Sequence, residues 1–270
     1  MEITKPLVVY LPDTRGVQLS RYGRGNLKIG ARVFTYSRLP GRPSRPALGT
    51  VGRTPLGTDY TEPKTLDPEV PRYWPGTCPG STPECERICY AARPVQECGP
   101  VATMWLGNST RTDVPPIPSD ARLLRIHVGG DFDSVEYIEN WIARLTESPG
   151  TTCWAYTRSW RIPALLPTLE RLRALPNVQL FASMDKSTPE LPPEGWRRAW
   201  IDGDPRAGKP LAIRAHTELA QAFIDDFECL RTEDGTKSLV CPEETKAVKN
   251  CEECGFCFAG PRNDVTFLEH

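Results

Sequence analysis

The 270-residue chain lacks any run approaching the ~20 apolar residues that a membrane-crossing helix needs. Residues 1–10 lack the long apolar stretch of a signal peptide, so a cytoplasmic protein with no membrane partner is expected. A strong charge imbalance is also missing. The net charge is -1, and charge alone announces no nucleic-acid binder. There is no internal repeat and no low-complexity tract. Histidine is scarce: Leu268-Glu269-His270 reads as the remnant of a tag, and setting it aside leaves only His127 and His216. Within Arg15 to Arg53 there is no acidic residue at all.

What is present is ordinary in bulk and unusual in detail. Hydrophobic residues make up 39% and charged residues 25%, enough for a real core. Proline (28) and glycine (21) are plentiful and imply long, turn-rich connections. Ten cysteines in a cytoplasmic chain point to metal binding rather than stable disulfides.

The chain divides into a loop-rich basic arm (1–75), a βα core carrying the first cysteine group (76–230), a cysteine-rich C-terminal segment (231–267) and the tag-like end (268–270). The arm has eight arginines and Lys28 between Arg15 and Arg53, with Pro40, Pro43, Pro46 and Pro55 breaking any helix. It reads as a solvated arm or as an anion-binding flap for a nucleotide or nucleic-acid backbone. One short strand is expected at 31–36. Further strands are expected at 123–128, 153–157, 178–183, 198–202 and 211–215. Helices are expected at 134–145, 164–175 and 217–229, the first with Val135, Ile138, Trp141, Ile142 and Leu145 on one face. Strands alternating with helices at this spacing mean α/β units on a parallel sheet, as a full or partial barrel or as a doubly wound open sheet.

Two cysteine groups carry the chemistry. The first reads Cys78-x6-Cys85-x3-Cys89, on a loop containing Pro and Gly, with Cys98 as a candidate fourth ligand. Soft thiolates suit an iron–sulfur cluster or zinc. With only three ligands, a cubane keeps one open iron. The second reads Cys241-x9-Cys251-x2-Cys254-x2-Cys257, a ferredoxin-like run that is also compatible with structural zinc. The two groups could also meet and share one centre. Cys153 and Cys229 fall on expected strand and helix faces and read as core. Between the groups, the 123–128 strand ends in Gly129-Gly130-Asp131-Phe132. Two glycines admit a close ligand, and the carboxylate can accept from an ammonium group. Such a turn is often only a turn, and His127 is either a ligand, a proton-transfer group or a structural residue. Trp74, Trp105, Trp154, Trp160 and Trp196 read as core and carry no assigned role.

Together, the segments Gly25–Gly30, Tyr36–Gly41, Thr77-Cys78-Pro79-Gly80, Cys89-Tyr90-Ala91, the Gly-Gly-Asp turn and the final Cys251-x2-Cys254-Gly255-x-Cys257 resemble the bacteriophage gene product 88 family over roughly residues 25–258. That implies a host-cell cytoplasmic protein. At the next level the chain resembles the radical S-adenosylmethionine superfamily. This resemblance implies a partial or distorted (β/α) barrel and two 4Fe-4S clusters. Cys78, Cys85 and Cys89 would hold the first, whose open iron takes S-adenosylmethionine. Gly129, Gly130 and Asp131 would bind its amino group, with Thr157, Arg158 and Ser183 near the ribose or carboxylate. The spacing departs from the superfamily's C-x3-C-x2-C, and Asp131-Phe132 stands where Glu-Pro is usual. The implied activity is radical chemistry on a small-molecule, nucleotide or nucleic-acid substrate, with an external electron donor. The alternatives are a zinc- or closed-cluster-stabilised nucleic-acid-binding module, and a non-radical Lewis-acid enzyme.

Overall fold

A computed structural model describes residues 21–45, 47–49, 75–201, 203–207, 230–232, 234–259 and 263–268. Its frame is one sheet of nine strands among the described residues. In chain order these are β1 (Gly23–Arg24), β2 (Phe34–Tyr36), β3 (Leu123–Ile126), β4 (Thr152–Thr157), β5 (Val178–Ser183), β6 (Arg197–Ile201), β7 (Leu230–Arg231), β8 (Lys237–Val240) and β9 (Asp264–Phe267). Their spatial order is β1-β2-β3-β4-β5-β6-β9-β8-β7. The seven strands from β2 to β8 run parallel, and β1 and β7 flank them antiparallel. From β2 to β6 the spatial order follows the sequence without reversal, as successive βα units require when wound in one direction. The sheet keeps two edges among the described residues.

The helices are α1 (Pro83–Arg87), α2 (Ala92–Glu97), α3 (Gly99–Ser109), α4 (Val135–Glu147), α5 (Leu166–Arg173), α6 (Cys251–Cys254) and α7 (Phe256–Ala259). Helix α4 forms where the sequence period demands. Ser134 caps it by accepting from the Tyr137 N–H, and Glu136 and Arg144 suit its two ends. Tyr137, Ile138, Trp141 and Leu145 make the buried stripe. They join Tyr36, Leu124, Ile126, Cys153 and Ala155 from one face of the sheet, with α5 alongside through Leu169 and Leu172. Each such large apolar side chain contributes roughly 1.5–3 kcal/mol on burial.

Side chains alternate across a strand, so the intervening residues serve the opposite face. There Phe181, Ala199, Leu239 and Val265 form a second apolar cluster with Phe256 of α7, and Tyr156, Cys254 and Cys257 pack against it. One face thus meets the α4–α5 layer, and the other is covered by the C-terminal cysteine segment.

The expected elements shift at their ends. The 31–36 strand contracts to β2, and the 123–128 strand stops at Ile126 because His127 takes a positive φ of 62°. The 164–175 helix contracts to α5, which has Pro167 in its first turn. The strand and helix expected at 211–229 lie outside the described residues, as does Cys229. Helices α1–α3 and strands β8 and β9 were not anticipated. Residues 231–267 supply β8 and β9 to the core sheet rather than standing apart from it. No helix among the described residues is long and apolar enough to cross a membrane.

The described part of the basic arm is tied down by carboxylates. Arg24 meets Asp120, Arg38 meets Asp133, Arg42 and Arg45 meet Glu86, and Arg32 meets Glu252 of α6. Lys28 bonds Glu244 at 2.8 Å, and its carbonyl accepts from the Cys251 N–H at 2.9 Å, so this loop straps the C-terminal segment.

Candidate metal centre

The first cysteine group is built from a tight turn followed by a helix start. The Cys78 N–H donates to the Gly41 carbonyl, and the Ser81 N–H closes a turn on the Cys78 carbonyl. Thr82 then caps α1 by accepting from the Cys85 N–H at 3.0 Å, with Pro83 in the first turn. The wide Cys78–Cys85 spacing is therefore taken up by the turn and cap, and Cys89 follows one helical turn after Cys85. The three thiols act on one another electrostatically, and burial raises all of them, Cys89 to about 11.

A buried ion pair backs Cys85. The positive charge of the Arg158 guanidinium near the Cys85 thiol partly offsets the effect of burial. Arg158 also meets Asp185 at 2.8 Å, and Asp185 accepts from the Thr82 hydroxyl at 2.7 Å. The ends of β4 and β5 thereby fix the loop that bears Cys85.

The second group comes from the end of β8 and the two short helices. Asn250 caps α6 by accepting from the Glu253 N–H, and Gly255 ends it in the left-handed region at φ 69°. Cys241, Cys251, Cys254 and Cys257 interact electrostatically, and burial raises each thiol, Cys257 to about 12. The Tyr156 hydroxyl donates to the Cys257 sulfur at 2.9 Å.

Both groups open onto one cavity of about 310 Å³ at the C-terminal edge of the parallel strands. All seven of these cysteines line it, together with Gly129, Gly130, Asp131, Arg158 and Ser183. The two glycines are demanded by packing. A side chain at Gly129 would enter the Trp105 ring, and Gly130 has φ 80° with Thr77 and Arg38 against it. Asp131 Oδ1 accepts from the Thr157 hydroxyl (2.6 Å) and the Phe132 N–H (2.8 Å). Its Oδ2 accepts from the Arg158 N–H (2.8 Å). These three bonds fill three of the roughly four lone-pair directions of a carboxylate. Among the described residues Asp131 has no cationic partner, and burial raises it to about 6.

A family model described as Gene product 88 matches residues 111–260. The chain belongs to the gene product 88 family. The matched span covers the Gly-Gly-Asp turn and the second cysteine group and begins beyond the first. The Gene 88 protein of Mycobacterium phage L5 is 25% identical over 221 residues, 69% of this chain and 80% of that protein. The Gene 88 protein of Mycobacterium phage D29 is 25% identical over 218 residues, 71% of this chain and 81% of that protein. The family is thus represented in bacteriophages. No solved structure matches the chain.

Within this family member, the sequence-nominated residues separate into those the fold gathers and those it does not. Cys98 joins α2 to α3 and is absent from the cavity wall. Thr157 is buried and serves Asp131 rather than facing the cavity. His127 lines the cavity, but its Nε2 is paired with the Tyr137 hydroxyl at 2.9 Å and its ring packs on Phe132. Burial and Arg38 hold it well below the usual histidine range, so it is neutral. Cys153 is core, as expected. Leu268, set aside as a tag remnant, lines the cavity and donates its N–H to Glu244. Among the described residues no three Cys, His, Asp or Glu side chains stand at single-ion spacing. The cysteines among the described residues are all free, and their donor chemistry suits a soft metal centre.

Sequence reasoning missed Arg125, Tyr156, Asp185 and Thr82. The first two carried a signal. Arg125 and Tyr156 interrupt the largely apolar, buried middles of their strands, where polar side chains need a reason.

Proposed function

We propose that this family member is an iron–sulfur enzyme of the radical S-adenosylmethionine type, with two cysteine-held centres facing one substrate cavity. The observation that carries this reading is the meeting of three features on one cavity wall: the Cys78–Cys89 loop, the Gly129–Asp131 turn and the Cys241–Cys257 segment. The Gly-Gly-Asp turn, Arg158 and Ser183 bring the C-terminal ends of β3, β4 and β5 to the cavity, where α/β folds place their chemistry, while Arg125, Tyr156, Ala199 and Val265 line it from the sheet face.

Cys78, Cys85 and Cys89 would hold a cubane that retains an open iron, and four thiols would close the second centre. When bound, the open cluster with S-adenosylmethionine supplies one-electron cleavage of a carbon–sulfur bond. The chain's own groups prepare that site. The glycine backbone gives close approach, and Asp131 offers its remaining lone-pair direction to an ammonium donor, whose charge would return the carboxylate to its ionised form. Arg158 and Ser183 border the same space. The apolar lining from Ala199, Phe256 and Val265 excludes water around the reacting region. The substrate is proposed to be a small anionic or nucleotide-related molecule. A nucleic acid would meet the arm chiefly outside residues 24–45, because the arginines paired above already face carboxylates.

The test is the iron, sulfide and zinc content of anaerobically purified protein, with absorption and electron paramagnetic resonance spectra before and after S-adenosylmethionine. Iron and sulfide sufficient for two cubanes, with a spectrum that responds to S-adenosylmethionine, is the expected result. Zinc in place of iron would overturn the reading and leave a zinc-stabilised binding module, for which the four-thiol C-terminal set is suited. Two clusters with no response would redirect the function to electron transfer or Lewis-acid catalysis.

A further inference from the structure

Strand β3 reads Leu-Leu-Arg-Ile, and its arginine is out of place by composition alone. Arg125 is only 8% exposed. It projects to the face that carries the cysteine segment, and it lines the cavity between the two cysteine groups. Its Nη2 donates to the Tyr90 hydroxyl at 2.9 Å, beside Cys89. Its guanidinium carbon lies 5.3 Å from the centre of the Tyr156 ring. The Tyr156 hydroxyl in turn reaches Cys257. The Nε–H is buried and has no acceptor.

Three other buried arginines contrast with this one. Arg38 is paired with Asp133, Arg158 with Asp185 and Arg198 with Asp264. Among the described residues Arg125 meets no carboxylate. An uncompensated buried cation is strongly unfavourable, so a negative partner is required. The nearby groups able to become negative are two tyrosines and the thiols of Cys251 and Cys257. Burial raises Tyr156 and keeps it neutral. Thiols lose their protons when they bind metal. A centre held by four thiolates would then place net negative charge beside this guanidinium.

We propose that Arg125 is the counter-charge of the C-terminal metal centre, a positioning residue that stabilises its more negative, reduced state and sets its potential above that of the same centre without the arginine. This rests on the iron–sulfur reading above. Reduction adds one electron to the cluster, supplied in the test by dithionite, which is itself oxidised. The added negative charge strengthens the attraction to Arg125 across a low-dielectric gap.

The experiment is a dithionite titration of the full-length, iron-loaded chain followed by electron paramagnetic resonance. It compares the native sequence with Arg125→Gln and Arg125→Lys, each also in a Cys85→Ala background that leaves the C-terminal centre alone. The expected result is a shift of the C-terminal midpoint to more negative potential in Arg125→Gln and its recovery in Arg125→Lys. Loss of C-terminal iron in Arg125→Gln with retention in Arg125→Lys would equally support a role for charge. An unmoved midpoint in an iron-loaded Arg125→Gln protein would overturn the assignment. Equal loss of iron from both variants would also overturn it, by showing that the guanidinium's shape matters rather than its charge. Native protein that takes up zinc and no iron would instead remove the cluster reading itself, a failure distinct from that of Arg125.

Discussion

The two cysteine groups share a cavity but are held in different ways. The first has three thiols on a capped loop, and its backing is polar, through Arg158, Asp185 and Thr82. The second has one thiol at the end of β8 and three on two short helices laid over an apolar sheet face, with Tyr156 on Cys257 and Arg197 on the Phe256 and Cys257 carbonyls as its polar ties to the sheet. On the proposed reading, the contrast separates a centre anchored by a network at strand ends, with a ligand position to spare, from one seated largely on apolar packing and closed by its own thiols.

Five changes test that contrast. The largest effects are expected from the thiols themselves. Cys85→Ala should remove the first centre and keep the second, and Cys254→Ala should do the reverse. Metal analysis per chain checks both, and simultaneous loss in either variant would show that the groups form one shared centre.

Next comes Arg158→Ala, which leaves Asp185 buried and unpaired. It should lower stability by about 3–5 kcal/mol in chemical denaturation. It should also weaken metal retention at the first centre while sparing the second. Smaller is Tyr156→Phe, which deletes the hydroxyl on Cys257 and little else. A loss of about 10–100-fold in metal affinity is expected at the C-terminal centre alone, measured by competition with a chelator.

The smallest effect concerns Asp131. Its folded-state value of about 6 lies above the ordinary 3.8, so the folded chain holds a proton that the unfolded chain has released. Its contribution to stability should therefore fall as pH rises from about 4 to about 6 and then level off. Asp131→Asn should lack this dependence. Unfolding curves across that window decide it, and identical pH profiles would mean that Asp131 titrates normally.

The parts of the fold with a clean period were legible in the sequence. The α4 stripe, β4 and β5 follow from apolar spacing, except that Val135, expected on the buried face of α4, is exposed and Tyr137 is buried. What escaped was structure whose polar residues are satisfied by one another. Lys-Ser-Leu-Val and Asp-Val-Thr-Phe do not read as buried strands. Yet Ser238 and Thr266 share a 2.7 Å hydrogen bond, and Asp264 is met by Arg198 and the Trp200 indole N–H. Helix α3 escaped for a different reason. It buries Ala102, Trp105, Leu106, Gly107 and Asn108 around much of its circumference, so no single apolar face announces it. At the candidate site the cysteines were visible by spacing. Arg158, Asp185 and Thr82 converge through tertiary contacts between distant loops, which no local pattern encodes.

The order of strands has a consequence for biosynthesis. Although β9 follows β8 in the chain, it lies between β6 and β8. When the ribosome has delivered β8, the position beside β6 that this strand needs for docking is still vacant. The sheet is completed from within by residues 264–267, and the four-thiol segment gains its full floor only then. An N-terminal core that folds as it emerges could thus acquire its first centre during translation, whereas the second would be loaded after the last strand has slid into place.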